Sequence, residues 1–175
     1  IADGKFAMTQ GVDYLALSFV QRAADIALAR KTFGEGIQII AKIEKPAALD
    51  ELEAIVQQAD GVMVARGDLG VELSPEQVPI AQRRIVRVAR QHGKPVIIAT
   101  HMLESMVESL APTRAEANDV ATAVYQGADA VMLSAESAVG RHPTAAVAIM
   151  DRIIRAIETD RDANPSSQAA PAPAT

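Results

Sequence analysis

Short apolar runs alternate with longer amphipathic stretches along most of the chain. Each run is rich in β-branched residues and is bounded by Gly, Asp or Pro, a composition that is typical of strands buried on both faces. The five runs span residues 14–20, 38–43, 62–65, 95–99 and 130–133. This pattern predicts five buried strands in an α/β domain.

The stretches between and after these runs predict helices, because their apolar residues recur with the helical period. The predicted helices span residues 23–33, 46–58, 75–91, 113–125 and 143–159. Three of them begin near a proline, whose fixed φ suits a helix start, at Pro46, Pro75 and Pro143. Thr113 and Glu116 have the spacing of a capping box at the start of the fourth helix.

A weak internal repeat supports the same units. Residues 11–18 (GVDYLALS) match residues 127–134 (GADAVMLS), and residues 59–64 echo both. Each copy covers the end of one helix and the strand that follows it. A β-α unit repeated five times implies a parallel sheet with right-handed crossovers. Such a sheet is compatible with a barrel or with a doubly wound layer. The sequence has no GxGxxG, which removes the main support for a dinucleotide-binding fold.

Composition and charge exclude several classes of protein. The net charge is -5 and no basic tract is present, which argues against nucleic acid as a partner. The chain has no cysteine, which excludes disulfides and thiolate metal sites. No apolar run is long enough to predict a membrane span. The first residues, IADGK, resemble neither an initiator Met nor a signal peptide and look like the middle of a chain.

The composition changes near Asp160, where the amphipathic pattern gives way to Asn, Pro, Ser and Ala. We therefore expect residues 1–160 to form the folded part. We expect residues 161–175 to be a Pro- and Ala-rich linker without ordered structure.

Two opposite charges interrupt the end of the second apolar run. Lys42 and Glu44 stand two residues apart, and residues i and i+2 of a strand face the same side. Both side chains therefore project together from the carboxyl end of a buried strand, where an unpaired charge would be costly. Taken alone, they are also compatible with an ion pair that only closes the strand end.

A second carboxylate follows the third run, where Asp68 stands between Gly67 and Gly70. Glycine lets the backbone approach a ligand closely. Alone, this segment would predict a tight turn, but beside Lys42 and Glu44 it favours a ligand site. Two carboxylates with a lysine between them suit Mg²⁺, which takes one or two protein carboxylates and fills its other positions with substrate oxygens and water.

Polar side chains also follow the last two runs. Thr100 and His101 follow the fourth run, and Ser134 and Glu136 follow the fifth. Thr100 is alternatively a helix cap, and His101 is a candidate general acid, although a lone histidine is more often structural. Polar groups at four successive carboxyl ends are typical of barrel enzymes, which build their active sites there.

Six segments in this order and spacing resemble pyruvate kinase. They are residues 40–44 (IAKIE), 63–72 (MVARGDLGVE), 94–100 (KPVIIAT), 102–106 (MLESM), 112–116 (PTRAE) and 129–134 (DAVMLS). The resemblance covers residues 1–160 and assigns them to the C-terminal portion of a catalytic (β/α)8 TIM barrel, of which this chain would contain about five β-α units. It implies magnesium-dependent phosphoryl transfer from phosphoenolpyruvate to ADP, giving pyruvate and ATP in glycolysis.

The resemblance also assigns roles to individual residues. Lys42 corresponds to the lysine that contacts the transferring phosphoryl group, and Glu44 and Asp68 correspond to ligands of Mg²⁺ or Mn²⁺. The backbone of Gly67 and Asp68 corresponds to a cradle for the substrate carboxylate. Thr100 corresponds to a hydroxyl near the carbon that gains a proton, so Lys42 and Thr100 are the expected catalytic residues.

Further expectations rest on the same resemblance. Ser134 and Glu136 match a region near the proton relay, whereas Arg114 and Asp119 match a subunit interface of a homotetramer. His101 stands where the family usually has Gln. The resemblance implies a cytoplasmic enzyme that also uses K⁺, through residues outside this chain, and it implies that the chain is inactive by itself.

Two rival functions remain open at this point. A metal-dependent aldolase or lyase acting on a pyruvate enolate also uses a barrel and a Glu/Asp metal pair. Lys42, two residues before Glu44, argues against it, because a lyase has no phosphoryl group to stabilise. The second rival is a non-catalytic binding or regulatory domain with the same fold, against which the intact set of polar strand-end residues argues.

Overall fold

The computed structural model describes residues 2–164, and its central element is a five-stranded parallel sheet. The strands are β1 (Tyr14–Leu17), β2 (Gln38–Ile43), β3 (Gly61–Ala65), β4 (Val96–Ala99) and β5 (Ala130–Met132). Their order in the sheet is their order in the chain, and every neighbouring pair is parallel. The predicted parallel α/β architecture is therefore confirmed.

Helices connect the strands as the sequence predicts, with some differences in their bounds. The α-helices are α1 (Ala2–Thr9), α2 (Ala23–Phe33), α3 (Pro46–Asp50), α4 (Leu52–Gln58), α5 (Arg66–Glu72), α6 (Gln77–Gln91), α7 (Arg114–Gln126), α8 (Ala135–Ala138) and α9 (Pro143–Ala163). A short 3-10 helix covers Glu104–Val107. Helix α1 is an element that the sequence pattern did not predict, and it buries none of its residues.

One predicted helix is in fact two. Residues 46–58 divide into α3 and α4 at Glu51, whose φ of -104° and ψ of 19° depart from helical values. The Glu51 carboxylate accepts a hydrogen bond of 3.2 Å from the backbone N–H of Ala23, the first residue of α2. This long-range contact accompanies a break that the local apolar pattern does not reveal.

Backbone contacts divide the chain into two compact units. The first comprises residues 2–102 and 126–134 and contains the whole sheet. Within it, α6 packs on β3 and β4, and α4 contacts both α2 and α6. Its core consists of aliphatic side chains, the largest of which are Ile26, Ile39, Ile43, Leu52, Ile55, Leu69, Ile85 and Ile98.

Burial of the strands differs from the prediction at both edges of the sheet. All five residues of β3 are buried, as expected. In β1 and β5, by contrast, every residue is exposed or only half-buried. The prediction of burial on both faces was wrong for these two strands. Among the described residues each pairs with a single neighbour, so it has less of the sheet to pack against.

Aspartates at the start of two strands connect those strands to their neighbours. Asp60 accepts a hydrogen bond of 2.7 Å from the N–H of Ile39, and its own N–H donates to the Ile39 carbonyl. Asp129 makes the same pair of contacts with Val96. Both aspartates belong to the internal repeat, so in these two copies the repeated residue joins its strand to the preceding one.

Arg30 strengthens the first of these connections. Its guanidinium lies 2.7 Å from the Asp60 carboxylate and also donates to the carbonyls of Ile37 and Gln58. Burial raises the pKa of Asp60, but the hydrogen bonds from Ile39 and Arg30 outweigh it and leave the pKa below its usual value. Asp60 is therefore held in its charged form, the form that accepts these bonds.

The second unit comprises residues 103–125 and 135–164. In it, α8 packs on α9 and on the 3-10 helix. Glu116 accepts hydrogen bonds from the N–H and hydroxyl of Ser105, both at 2.6 Å, and from the N–H and hydroxyl of Thr113, at 2.7 and 2.8 Å. The Glu116 N–H donates in return to the Thr113 hydroxyl at 3.2 Å, which confirms the predicted capping box.

Helix α9 runs through Ala163, so it continues three residues beyond the predicted boundary at residue 160. The remainder of the predicted linker, residues 165–175, lies outside the described residues. No helix within residues 2–164 is both long and apolar enough to cross a membrane.

Glu116 should make the stability of the second unit depend on pH. Burial raises the pKa of Glu116, but its four hydrogen bonds outweigh that effect and lower the pKa below 4.5. The stabilisation is therefore complete above the pKa of the unfolded chain and is lost as pH falls through the lower folded value, from about pH 5 downward. At pH 7, Glu116→Gln should reduce the free energy of unfolding by about 1–2 kcal/mol, because a neutral amide oxygen replaces the charged acceptor of these hydrogen bonds.

Urea unfolding of the wild-type chain and the variant would measure this difference at pH 7 and again below pH 4. Glu158→Gln is the matched control, because Glu158 is an exposed glutamate of α9. A difference between wild type and Glu116→Gln that stayed constant with pH would contradict the proposed linkage.

Candidate active site

The carboxyl ends of the strands meet at one edge of the sheet because all five strands are parallel. Lys42, the second-last residue of β2, lies beside Met63 of β3, and Ala65 at the end of β3 lies beside Ala99 at the end of β4. Side chains that directly follow these strands therefore share one rim, and we call this rim the carboxyl edge.

Lys42 and Glu44 form a close ion pair at the carboxyl edge. Lys42 Nζ lies 2.5 Å from Glu44 Oε1, and the side chains are 25% and 2% exposed. Lys42 also donates to the Ser18 hydroxyl at 2.9 Å, and the N–H of Phe19 donates to Glu44 Oε2 at 2.7 Å. Every polar atom of the buried carboxylate is thus bonded, which offsets the cost of placing a charge there.

Lys45 adds a second positive charge that the sequence analysis missed. Its Nζ lies 2.7 Å from Glu72 Oε1 at the end of α5 and 5.9 Å from the centroid of the Phe19 ring. The hydrogen bond to Glu72 raises the pKa of Lys45, and the charges of Glu72, Asp68 and Glu44 raise it further against the opposing effect of desolvation. Lys45 thus lies within the field of three carboxylates.

Asp68 lies in the first turn of α5 and is exposed. Within the part of the chain that the structure describes, its carboxylate makes no hydrogen bond or ion pair with a side chain. Its charge and that of Glu44 both raise the pKa of Lys45. Residues 2–164 contain no group of three or more His, Asp or Glu side chains that could hold a metal ion by themselves.

Thr100 at the end of β4 has an unusual backbone conformation. Its φ is 69° and that of His101 is 52°, both in the left-handed region that favours glycine. The Gly67 N–H donates to Thr100 Oγ1 at 2.8 Å, and the Arg66 guanidinium donates to the Thr100 carbonyl through Nη2 at 2.6 Å and Nε at 3.2 Å. The start of α5 therefore binds both the hydroxyl and the carbonyl of Thr100.

The structure thus brings the predicted residues together in two pairs, Lys42 with Glu44 and Gly67 with Thr100. Lys45 and Arg66 were not predicted as site residues, although Arg66 directly follows β3 and Lys45 lies two residues after β2. Their position was a usable signal, but their partners lie 27 and 34 residues away in sequence.

The remaining predicted residues lie in other places. Ser134 is half-buried just after β5, at the end of the first unit. Glu136 belongs to the second unit, where it is fully buried and accepts a hydrogen bond of 3.0 Å from the Leu103 N–H. Arg114 is the exposed first residue of α7, and Asp119 lies half-buried on the same helix.

Comparison with known proteins identifies relatives of this chain. The family model described as pyruvate kinase, barrel domain, matches residues 1–147. A pyruvate kinase of Agrobacterium vitis is 58% identical over 167 residues, which is 95% of this chain and 35% of that relative. A pyruvate kinase of Mycobacterium tuberculosis (strain ATCC 25618 / H37Rv) is 55% identical over 168 residues, which is 94% of this chain and 36% of the relative.

These matches confirm the resemblance that the six sequence segments indicated. The chain spans about a third of the length of the curated relatives it matches. Since the matching family model describes a barrel domain, the open five-stranded sheet is part of a TIM-type barrel.

A side chain at position 67 should disturb the contact between Gly67 and Thr100. A Cβ atom there would lie 3.4 Å from His101 Cε1, an ordinary contact, but 3.3 Å from Thr100 Oγ1, so the hydroxyl would have to shift by a few tenths of an ångström. We expect Gly67→Ala to displace the hydroxyl and to speed hydrogen exchange of the amide at position 67, because that amide loses its acceptor.

Gly70→Ala is the matched control in the same helix, because a Cβ at Gly70 would meet only Val78 Cγ2 at 3.9 Å. It should leave the exchange of the position 67 amide unchanged. Equal protection of this amide in the wild type and in Gly67→Ala would contradict the contact.

Proposed function

The chain belongs to the pyruvate kinase family, and from that premise we propose that its carboxyl edge is the phosphoenolpyruvate and metal site of a pyruvate kinase. The proposed reaction is the magnesium-dependent transfer of a phosphoryl group from phosphoenolpyruvate to ADP, which gives pyruvate and ATP in glycolysis. The observation that carries this proposal is the Lys42–Glu44 pair at the carboxyl end of β2. We call the full-length enzyme that would contain this segment the parent enzyme.

The carboxylates at this edge fit a divalent metal ion such as Mg²⁺ or Mn²⁺. An ionised carboxylate offers about four lone-pair sites, and Glu44 uses only two of them, for Lys42 and for Phe19. Asp68 is exposed, and its charge acts on the same lysine as that of Glu44. A set of two protein carboxylates suits Mg²⁺, which completes its coordination with substrate oxygens and water. When bound, the ion would polarise substrate oxygens.

Lys42 has the position needed to stabilise a moving phosphoryl group. Phosphoryl transfer depends on positioning and charge stabilisation more than on covalent chemistry. The Lys42 side chain is 25% exposed and therefore open to a ligand, while Glu44 and Ser18 hold its ammonium in place. We assign Lys42 to the neutralisation of charge on the transferring group.

Thr100 and the start of α5 would bind the rest of the substrate. The backbone of Gly67 and Asp68 lies at a helix N-terminus, a position that favours an anion such as the substrate carboxylate. The Asp68 N–H would bind this anion, because the Gly67 N–H donates to Thr100. Because the Gly67 N–H donates to Thr100 Oγ1, the hydroxyl hydrogen of Thr100 can point toward a ligand. Protonation of the enolate carbon, through Thr100 or a water, would complete the formation of pyruvate.

The other expectations from the family belong to this proposal as well. Ser134 and Glu136 are assigned to the proton relay, and Arg114 and Asp119 to a subunit interface of a homotetrameric parent enzyme. The parent enzyme is proposed to be cytoplasmic and to bind K⁺ through residues outside this chain. Its partners would be phosphoenolpyruvate, pyruvate, ADP and ATP, without nucleic acid or membrane.

A metal-dependent lyase of the same barrel type is the rival enzyme. The close contact of Lys42 with Glu44 favours a kinase, because it places a cation beside the proposed metal ligand, where a phosphoryl group needs it. Assays of the parent enzyme for phosphoryl transfer and for aldol cleavage would separate these two functions. Activity in neither assay would favour a non-catalytic domain.

Lys42→Met in the parent enzyme should lower kcat much more than it weakens metal binding. Loss of a group that acts mainly in the transition state has this signature, and losses on the order of 10²–10³-fold are typical of such electrostatic groups. Mn²⁺ affinity, measured by electron paramagnetic resonance, should change far less. Glu44→Gln should instead weaken Mn²⁺ binding by at least about tenfold.

The matched control is Lys31→Met, because Lys31 is an exposed lysine of α2. It should leave both kcat and Mn²⁺ affinity unchanged. An unchanged kcat in Lys42→Met would refute the role assigned to Lys42.

The 175-residue chain alone should have no measurable pyruvate kinase activity. Within the described residues β1 pairs only with β2 and β5 only with β4, so the sheet is open at both edges, whereas a closed barrel has none. An open and hydrated site weakens electrostatic stabilisation, and loss of substrate positioning can remove up to about 7–11 kcal/mol of barrier lowering.

Pyruvate formation from phosphoenolpyruvate and ADP, with Mg²⁺ and K⁺ present, would test this expectation. The parent enzyme is assayed in parallel as the positive control. Turnover by the chain within about tenfold of the parent enzyme would show that closure of the barrel is dispensable.

A further inference from the structure

Two consecutive residues at the end of β4 have a backbone conformation that their side chains disfavour. Thr100 and His101 have φ values of 69° and 52°. A positive φ is a genuine outlier for a β-branched residue such as threonine, and it persists only where surrounding contacts determine it. The contacts that hold Thr100 therefore decide where its hydroxyl lies.

Arg66 provides the strongest of these contacts. Its Nη2 and Nε both donate to the Thr100 carbonyl, at 2.6 and 3.2 Å, and Nη2 also contacts Met102 Sδ. The planar guanidinium can direct two N–H groups at one acceptor, a geometry that a lysine ammonium does not reproduce. Arg66 thus orients the peptide carbonyl on one side of Thr100 while Gly67 binds the hydroxyl.

We propose that Arg66 is a positioning residue that acts through Thr100. This inference rests on the proposed function, in which the Thr100 hydroxyl lies at the carbon that gains a proton. By holding the Thr100 carbonyl, Arg66 keeps the residue in its left-handed conformation. The hydroxyl oxygen then accepts a hydrogen bond from the Gly67 N–H, and the hydroxyl hydrogen points toward the substrate.

The effect of Arg66 is expected on the chemical step. Without the guanidinium, Thr100 relaxes toward an ordinary backbone conformation and the hydroxyl moves away from Gly67. Misplacement of a catalytic group by about 1 Å can lower a rate by roughly 10²-fold. Arg66→Met in the parent enzyme should therefore lower kcat by roughly that factor, with a smaller change in the KM for phosphoenolpyruvate.

Two further variants define the cause of this loss. Arg66→Lys keeps the positive charge but loses the pair of N–H groups that donate to the Thr100 carbonyl. Its kcat should therefore lie between those of the wild type and Arg66→Met. Arg152→Met is the matched control, since Arg152 is an exposed arginine of α9, and it should behave like the wild type. A wild-type kcat in Arg66→Met would overturn the proposal.

A double-mutant cycle with Thr100→Ala tests whether Arg66 acts through Thr100. If it does, Arg66→Met should cost almost nothing further in kcat once the hydroxyl is gone, because residues that act as a unit are not additive. Losses that simply multiply would show an independent role and would overturn the proposal. Thermal unfolding of each variant is measured alongside, and a failure of both Arg66 variants to fold would make Arg66 structural and would also overturn it.

A crystal structure of the Arg66→Met parent enzyme separates this inference from the proposed function. A wild-type parent enzyme without pyruvate kinase activity would refute the proposed function alone. The positioning of Thr100 by Arg66 would then be judged from φ at Thr100, which should leave the left-handed region in the variant. An unchanged φ would overturn the inference.

Discussion

The register of the parallel strands is the constraint on which the rest of the structure depends. Asp60 and Asp129 each join the start of one strand to the backbone of the preceding strand, and Arg30 holds the first of them. A slip of one residue would turn every side chain of a strand to the opposite face. Lys42 and Glu44 would then turn away together from their present face, so the bonds of this pair to Ser18 and Phe19 depend on contacts at the far end of the strands.

Charged side chains from several elements lie at the carboxyl edge, where the carboxylates of Glu44 and Glu72 are each paired with a lysine. Glu44 is 2% exposed and would be costly without Lys42, whose other bond to Ser18 connects β2 to the loop after β1. Lys45 extends the same pattern to the end of α5 through Glu72. Opposite charges from successive elements therefore stabilise one another at the carboxyl edge.

Much of this fold could be predicted from the sequence because the apolar runs are local signals. Helix α2 begins and ends where the pattern predicted, and strand β2 does as well. The exposure of β1 and β5 could not be predicted, because burial depends on which neighbours a strand has and not on its own composition. The break at Glu51 escaped prediction for a similar reason, since its partner Ala23 is 28 residues away.

In the candidate site too, features set by local sequence could be predicted and features set by distant contacts could not. The spacing of Lys42 and Glu44 within one strand predicted their pairing, because strand geometry alone places them on one face. The left-handed conformation of Thr100 had no such signal, since threonine is a residue that disfavours it.

Glycine at position 100 would adopt the same φ without the strain, which costs about 1–3 kcal/mol for other residues. Glycine would, however, provide no hydroxyl to accept the Gly67 N–H. Threonine at this position is therefore best explained by what its hydroxyl does. The strained backbone at Thr100 is thereby linked to the chemistry proposed for the carboxyl edge.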